Sequence, residues 1–345
     1  MRTVRVRFVD FWPGFKAEES LFVQILRRHF DVVLCDDPDF LVYSNFGNRY
    51  FDYDVPRLCY TSENIRPDFN LCDYALGCDR MVFGDRYYRF TIYMLERQEE
   101  LHAIGPRRWN QEARKFCNFV YSNDTAHPFR DEFFRLLSQY QKVDSGGRHL
   151  NNLGYSVRDK RLFQKDYKFS IAFENSSTPG YSTEKIVDAY VAGTVPIYWG
   201  DPEIGEDFNV SSFVNAHDFG SLSDLVERVI ELDRDEESYR RMYEAPFLVR
   251  AVGDYTFTPG FEEFLVHIFD QEKEAAFRRS RHFWGKAYEN QRKKAAFYLQ
   301  RLERDRLFSL LEHLRMLGFR GLMRKLVEKL AQRRISRAKR KIKVR

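Results

Sequence analysis

The sequence predicts two α/β domains, each a Rossmann-like parallel sheet with helices on both faces, set across a cleft and followed by a basic helical tail. Three observations predict it. Apolar runs of strand length alternate with amphipathic runs of helix length, twice over, which is the pattern of parallel sheets covered by helices. A polar stretch, residues 96–112 (ERQEELHAIGPRRWNQE) with Gly105-Pro106 inside it, separates the two series. From about Phe261 the pattern becomes helical and increasingly basic. These features divide the chain at 1–105, 106–282 and 283–345.

In the first series, 4–9 (VRVRFV) alternates as a strand, 17–30 (AEESLFVQILRRHF) keeps helical spacing, and 40–46 (FLVYSNF) is a second strand. Residues 57–61 (RLCYT) and 74–77 (YALG) add two short strands. The second series opens with the strand FCNFVYS (116–122). PFRDEFFRLLSQY (128–140) is a helix with Pro128 at its start, where the missing N–H is no loss. KVDSGG (142–147) reads as strand and turn, and YKFSIAF (167–173) as a buried strand. STEKIVDAYVA (182–192) is a helix with Ser182 as N-cap and Gly193 just past its end. TVPIYWG (194–200) ends a strand, SFVNAHDF (212–219) is another, and LSDLVERVIELD (222–233) is a helix capped by Ser221 or Ser223.

Hydrophobic content of 43% and aromatic content of 16% in 345 residues support cores for two domains. The five cysteines (Cys35, Cys59, Cys72, Cys78, Cys117) have no CxxC or zinc spacing and read as free thiols of a reducing compartment. The opening MRTVRVRFVDFWPGF alternates like a strand and lacks a signal peptide's apolar core. No apolar run approaches the roughly 20 residues that span a bilayer. A soluble or peripheral cytoplasmic protein is expected. The net charge of +5 is uneven: residues 315–345 hold 13 Lys or Arg against Glu328 alone, a local +12 that leaves −7 on the other 314 residues.

The densest chemistry is FENSSTPGYSTEKIVDAYVAGTVPIYWG (173–200), a polar block between a buried strand and a helix. Ligands of open α/β sheets bind beyond the carboxyl ends of strands, where helix-start N–H groups are unpaired. Glu184 suits the positive helix end, whereas Lys185 opposes it unless a bound anion, phosphate above all, reverses that penalty. A merely solvated pair is the plainer alternative. No GxxxxGK[ST] occurs, and no GxGxxG follows the first strand of either half, which removes the P-loop and the usual NAD readings. Asp201, Glu203, Glu206 and Asp207 are acidic enough for a metal but lack His partners, so they read as a solvated loop. His127, His217 and His267 have no metal spacing and read as structural.

These residues carry a resemblance. Phe173-Glu174-Asn175, Tyr181-Ser182-Thr183-Glu184-Lys185 and Pro196-Ile197-Tyr198-Trp199-Gly200 resemble the donor-binding motif of the α-1,3/4-fucosyltransferases, glycosyltransferase family ten. FCNFVYSNDTAHPFRDEFF (116–134) resembles the family's strand, Ser-Asn loop and helix-opening Arg. CYTSENIRPDFNLCDYALGCD (59–79) resembles its acceptor-side Glu-Asn segment. The likeness spans about 35–250 and is strongest to the bacterial branch. The resemblance implies a GT-B architecture, GDP-fucose as donor, and inverting transfer to a GlcNAc hydroxyl of an N-acetyllactosamine-type glycan, making Lewis-type structures. It assigns Arg130 and Lys185 to the diphosphate, Asn175 and Tyr181 to phosphate or sugar, and Glu184 to sugar hydroxyls, with Glu174 and Asn64 beside them. Glu63 is the implied base, although Ser62-Glu63-Asn64 is also ordinary turn composition; Asp37, Asp39 and Asp68 are weaker rivals. Two cations can neutralise a diphosphate, so no obligatory metal or other cofactor is expected, with Mg²⁺ or Mn²⁺ stimulation open.

Two rivals stand beside this reading. One is a GT-B transferase using another nucleotide sugar; the other is a non-catalytic protein whose basic tail grips nucleic acid or membrane. The tail's leucines keep helical spacing from Leu307 to Leu330 with Lys and Arg on the other face. That composition fits a helix lying on an anionic membrane surface, here the cytoplasmic face of the inner membrane, and not nucleic acid. The seven-residue repeats of some bacterial members are not present in 270–315, and the oligomeric state stays open.

Overall fold

The computed structural model describes residues 1–110, 113–251, 253 and 259–303. The chain divides into two compact units at Arg279/Ser280, and the first holds both sheets. The tail calls from 304 onward lie outside the described residues.

The first sheet is parallel, in the order β2-β1-β3-β4-β5-β6. Its strands are β1 (Thr3–Val9), β2 (Asp31–Leu34), β3 (Phe40–Tyr43), β4 (Arg57–Tyr60), β5 (Tyr74–Gly77) and β6 (Tyr87–Arg89). Every residue of β3, β4 and β5 is buried, as a sheet covered on both faces requires. The strands β2 and β6 were not foreseen. Both are short sheet edges, and β2 alternates in exposure instead of forming an apolar run. Helix α1 (Leu21–His29) is capped by Ser20 and buries Phe22, Val23, Ile25 and Leu26. The expected linker carries α3 (Gln98–Ala103), and α2 (Ile92–Glu96) ends on its first residue.

The second sheet, also parallel, runs β11-β10-β9-β7-β8. Its strands are β7 (Lys115–Phe119), β8 (Val143–Ser145), β9 (Tyr167–Phe173), β10 (Val195–Trp199) and β11 (Val214–Asn215). Its helices are α4 (Pro128–Tyr140), α5 (Lys160–Gln164), α6 (Glu184–Val191), α7 (Leu222–Arg234) and α8 (Glu236–Glu244). Ser221, one of the two expected caps, caps α7. The expected strand 212–219 shrinks to two residues because the Asn215 side chain accepts from His217 N–H and closes a 3₁₀ turn. The cap position of α6 is Thr183, not Ser182; its hydroxyl is bonded to Glu174 and not to the helix.

Helix α9 (Pro259–Phe269) returns to the first sheet. Phe261 packs on Phe22 and Phe90, and Phe269 on Phe40. The fully buried Arg279 pairs with the fully buried Asp73 at the edge of β5. Residues 259–279, counted with the second half from sequence, thus pack on the first. In the second unit, α10 (Phe283–Glu303) is a single long helix.

Two parallel α/β sheets set across a cleft make this a GT-B fold. In each sheet the strand order reverses once, between β1 and β3 and between β7 and β9. Crevices open at the carboxyl ends of strands where order reverses, and the residues after β1, β3, β7 and β9 surround the site.

Candidate active site

Glu174 follows β9 directly and is fully buried. Its N–H donates to the Trp199 carbonyl at 2.7 Å, which locks it to β10. Its carboxylate accepts from Thr183 N–H at 2.7 Å and the Thr183 hydroxyl at 2.9 Å, and from Lys185 Nζ at 2.6 Å. A Cβ on Gly200 would stand 2.4 Å from Glu174 Cγ, so the glycine that ends Pro-x-Tyr-x-Gly is what lets the carboxylate lie there. Gly180 does a related task between the halves: with φ at +86°, its Cβ position falls 2.4 Å from the Cys78 carbonyl.

The clamp alters the sequence reading of two residues. Glu174 is buried away from the cavity that the neighbouring residues line; it holds the strand end, the loop and the start of α6 together. Lys185 needs no bound anion to balance the helix dipole, because Glu174 already does so. Burial opposes its charge, yet Glu174 and Glu184 outweigh burial and raise its pKa. An ammonium has three N–H donors, and Glu174 and the Thr183 hydroxyl take two. One is left for a ligand.

Arg130, in the first turn of α4, is 1% exposed. It donates to the Asn123 carbonyl at 2.5 Å and to Asn175 Oδ1 at 3.4 Å, and its guanidinium lies 4.4 Å from the centre of the Tyr121 ring. Its Nε has no hydrogen-bond partner. Arg130 sits behind Asn175 and outside the wall of a cavity between the two halves.

That cavity measures about 410 Å³, within the usual range for ligand sites. Asn175, Tyr181, Thr183, Glu184 and Lys185 line it from the second half, and Trp12, Phe46, Ser62, Glu63, Ile92 and Glu96 from the first. Glu63 is half-buried. Burial raises its carboxyl pKa, Lys185 and the Tyr181 hydroxyl bonded to it lower it, and Glu184 raises it. Burial pushes Glu184 the same way, but Lys185 and Lys160 bring its pKa below the ordinary value. Asn64 stands apart: its amide donates across the cleft to the Ser176 and Thr178 hydroxyls at 2.7 and 2.6 Å, a bridge between the halves. Asp37 and Asp39 pair with Arg5, and Asp68 closes a turn at Asn70.

The acidic loop after β10 is solvated only in part, at Glu203 and Glu206. Asp201 and Asp207 are at most 1% exposed. Asp201 accepts from Arg80 and Gly180 N–H, and Asp207 from Arg80, Arg89 and Arg250. Arg80 and Arg89 come from the first half, so this buried network ties the halves together. Among the described residues no cluster of three or more His, Cys, Asp or Glu has the form of a metal site. His127 caps α4 through Nδ1 and packs on Trp199, and His217 meets the Gly200 carbonyl.

Sequence reasoning missed Trp12, Phe46 and Glu96. Phe-Trp-Pro-Gly at the carboxyl end of β1 was the available signal for Trp12. Glu96 was hidden in a stretch read as linker.

Two family models match this chain. The α-(1,3)-fucosyltransferase FucT N-terminal domain covers residues 6–96, and the glycosyltransferase family 10 (fucosyltransferase) C-terminal domain covers 109–246. The chain belongs to glycosyltransferase family 10. The match reaches residue 6, well before the position near 35 where the sequence motifs begin. The family-10 chain is 32% identical over 288 residues to the α-(1,3)-fucosyltransferase FucT of Helicobacter pylori, covering 70% of this chain and 60% of that one. It is 29% identical to a protein of Acanthamoeba polyphaga mimivirus named as a proposed fucosyltransferase, over 47% of this chain and 28% of that one. It thus spans less than two thirds of these relatives. A crystal structure of α1,3-fucosyltransferase superposes with a TM-score of 0.71 at 27% identity, covering 82% of this chain and 93% of that one. One with GDP-fucose gives 0.63 at 28% identity, covering 77% and 91%.

Proposed function

We propose that the chain is an inverting fucosyltransferase that moves L-fucose from GDP-fucose to a GlcNAc hydroxyl, O3 by preference, of an N-acetyllactosamine-type glycan. The observation that carries this reading is the cavity's two-sided chemistry. A half-buried carboxylate, Glu63, stands on one wall, and a clamped cation, Lys185, with Arg130 behind Asn175, stands on the other. The solved relatives described with GDP and GDP-fucose support the donor.

In this mechanism Glu63 accepts the proton of the acceptor hydroxyl as its oxygen attacks the fucose anomeric carbon. The bond from that carbon to the β-phosphate oxygen breaks, and GDP leaves with the electron pair. Lys185 and Arg130 stabilise the charge that develops on the diphosphate, and they do so without reorganisation because Glu174, Asn123 and Asn175 already hold them. Glu184 and Tyr181 hold sugar hydroxyls. Two cations suffice for the diphosphate, so turnover should survive a chelator. No helix among the described residues is long and apolar enough to cross a membrane. The basic tail is proposed to rest on anionic lipid, and deleting 315–345 should abolish binding to anionic vesicles.

The deciding experiment measures GDP release from a panel of sugar nucleotides with N-acetyllactosamine present. GDP-fucose should be the productive donor, and a higher rate with another GDP-sugar or a UDP-sugar would overturn the assignment.

A further inference from the structure

With the diphosphate assigned to Lys185 and Arg130, three carboxylates remain around the cavity. Glu63, which accepts from the Tyr181 hydroxyl, and Glu96 line it from the first half; Glu184 lines it from the second, beside a Lys185 that is bonded to Glu174. Glu96 ends α2 with its side chain 36% exposed and meets Arg97 at 3.5 Å, whereas that guanidinium makes its shorter bond, 2.6 Å, to Asp188. Behind these carboxylates the Tyr60 hydroxyl is fully buried without a hydrogen-bond partner. It is near enough to Glu96 and Glu184 to feel both charges. A buried orphan hydroxyl calls for a polar partner, although this one does not itself line the cavity. Trp12, whose ring packs on that of Tyr60, meets Phe46 edge to face at 6.1 Å, and both line the cavity as an apolar wall for the C–H face of a sugar.

We propose that this acidic, aromatic-walled side holds the acceptor and selects it by charge, with Glu96 as the specificity-determining residue. Neutral or amine-bearing glycans enter; glycans carrying a sulfate or carboxylate beside the reacting sugar are excluded. Ionised carboxylates only accept hydrogen bonds, so they match hydroxyls and amines. An anion among three of them meets repulsion that the partly desolvated cavity screens poorly. The word acceptor rests on the transfer reading above, but the selection itself concerns binding.

The test measures binding of N-acetyllactosamine and of its 3′-sulfated form to the full chain with GDP present, by calorimetry or ligand-observed NMR. The neutral disaccharide should bind at least about tenfold more tightly. That ratio should fall in Glu96→Gln and, in the unaltered protein, as salt is added. Equal binding of the two forms, binding of neither, or a ratio unmoved in a Glu96→Gln protein whose circular dichroism is intact would overturn the proposal. Glycan binding with the expected preference but no transfer from GDP-fucose would sink the transfer reading and leave charge selection standing.

Discussion

On the donor wall, residues 174–185 form one continuous block in which Glu174 anchors Thr183 and Lys185 through short buried hydrogen bonds. On the acceptor wall, Trp12, Phe46, Glu63 and Glu96 arrive from separate segments after β1, β3 and β4 and at the end of α2. The first wall is held by its own hydrogen bonds. The second is positioned by the sheet that carries it, and its carboxylates are held more loosely, Glu63 by the Tyr181 hydroxyl and Glu96 by Arg97 at 3.5 Å. Under the proposed transfer, the difference follows from what each side must do. A leaving diphosphate has fixed geometry and charge and rewards a preorganised partner, whereas an acceptor site discriminates among related glycans and needs groups held loosely enough to exchange partners when one arrives.

The sharpest test of that division is Glu63→Gln. The amide keeps the shape but cannot take a proton, so transfer should slow by roughly a hundred- to ten-thousandfold, with GDP-fucose affinity held. Lost donor binding combined with normal turnover at saturation would place Glu63 on the donor side and dissolve the contrast between the walls.

Next in size is Lys185→Ala. It should cut turnover at least about a hundredfold, as losing one charge-stabilising donor does, and Arg130→Ala should do likewise. Unlike Arg130→Ala, it also strands the fully buried Glu174, a defect of about 3–5 kcal/mol in unfolding free energy. The double change Glu174→Gln with Lys185→Met should recover much of that stability and none of the rate. Recovery of the rate would show that Lys185 serves the fold and not the diphosphate.

The contrast also decided what the sequence could reveal. A site block that is contiguous, such as Phe173 to Gly200, carries its spacing in the chain, and so Asn175, Tyr181, Glu184 and Lys185 were legible as neighbours. Strands with unbroken apolar runs were legible too, while β2 and β6 were not, because an edge strand of three or four residues buries too little to mark itself. The acceptor wall depends on which loops the sheet order places together, and no local pattern encodes that; Glu63 was found through resemblance, and Glu96 was lost in a polar run. Asp201 and Asp207 misled for the same reason, since Arg80 and Arg89, which help to neutralise them, lie over a hundred residues away.

A smaller effect should come from Gly200→Ala. The added methyl would fall 2.4 Å from Glu174 Cγ, and relieving the clash moves the clamp or strains β10, at about 1–3 kcal/mol. Donor affinity should fall with stability, which GDP titration and urea unfolding would show together. Unchanged GDP binding in a destabilised protein would mean that the clamp supports the fold alone.

The smallest effect bears on the cost of keeping a carboxylate loosely held on the acceptor wall. Burial raises the Glu63 carboxyl pKa above the ordinary value of 4.5, with Lys185 and Tyr181 only partly opposing it. Between its unfolded and folded pKa values such a group binds more protons in the folded protein, so its contribution to stability falls as pH rises through that window. The ionised base is therefore slightly destabilising at neutral pH. Glu63→Gln should melt a little above the unaltered protein at pH 7, a gain smaller than any loss above, and the lead should vanish below about pH 4.5, where the carboxyl is protonated in both states. In the same range kcat/KM of the unaltered protein should climb with pH, with its inflection above the ordinary glutamate value, and the variant's residual rate should lack that limb. A Glu63→Gln protein that melts lower at pH 7 would show that the carboxylate is held by favourable bonds like those of Glu174. The two walls would then be built alike.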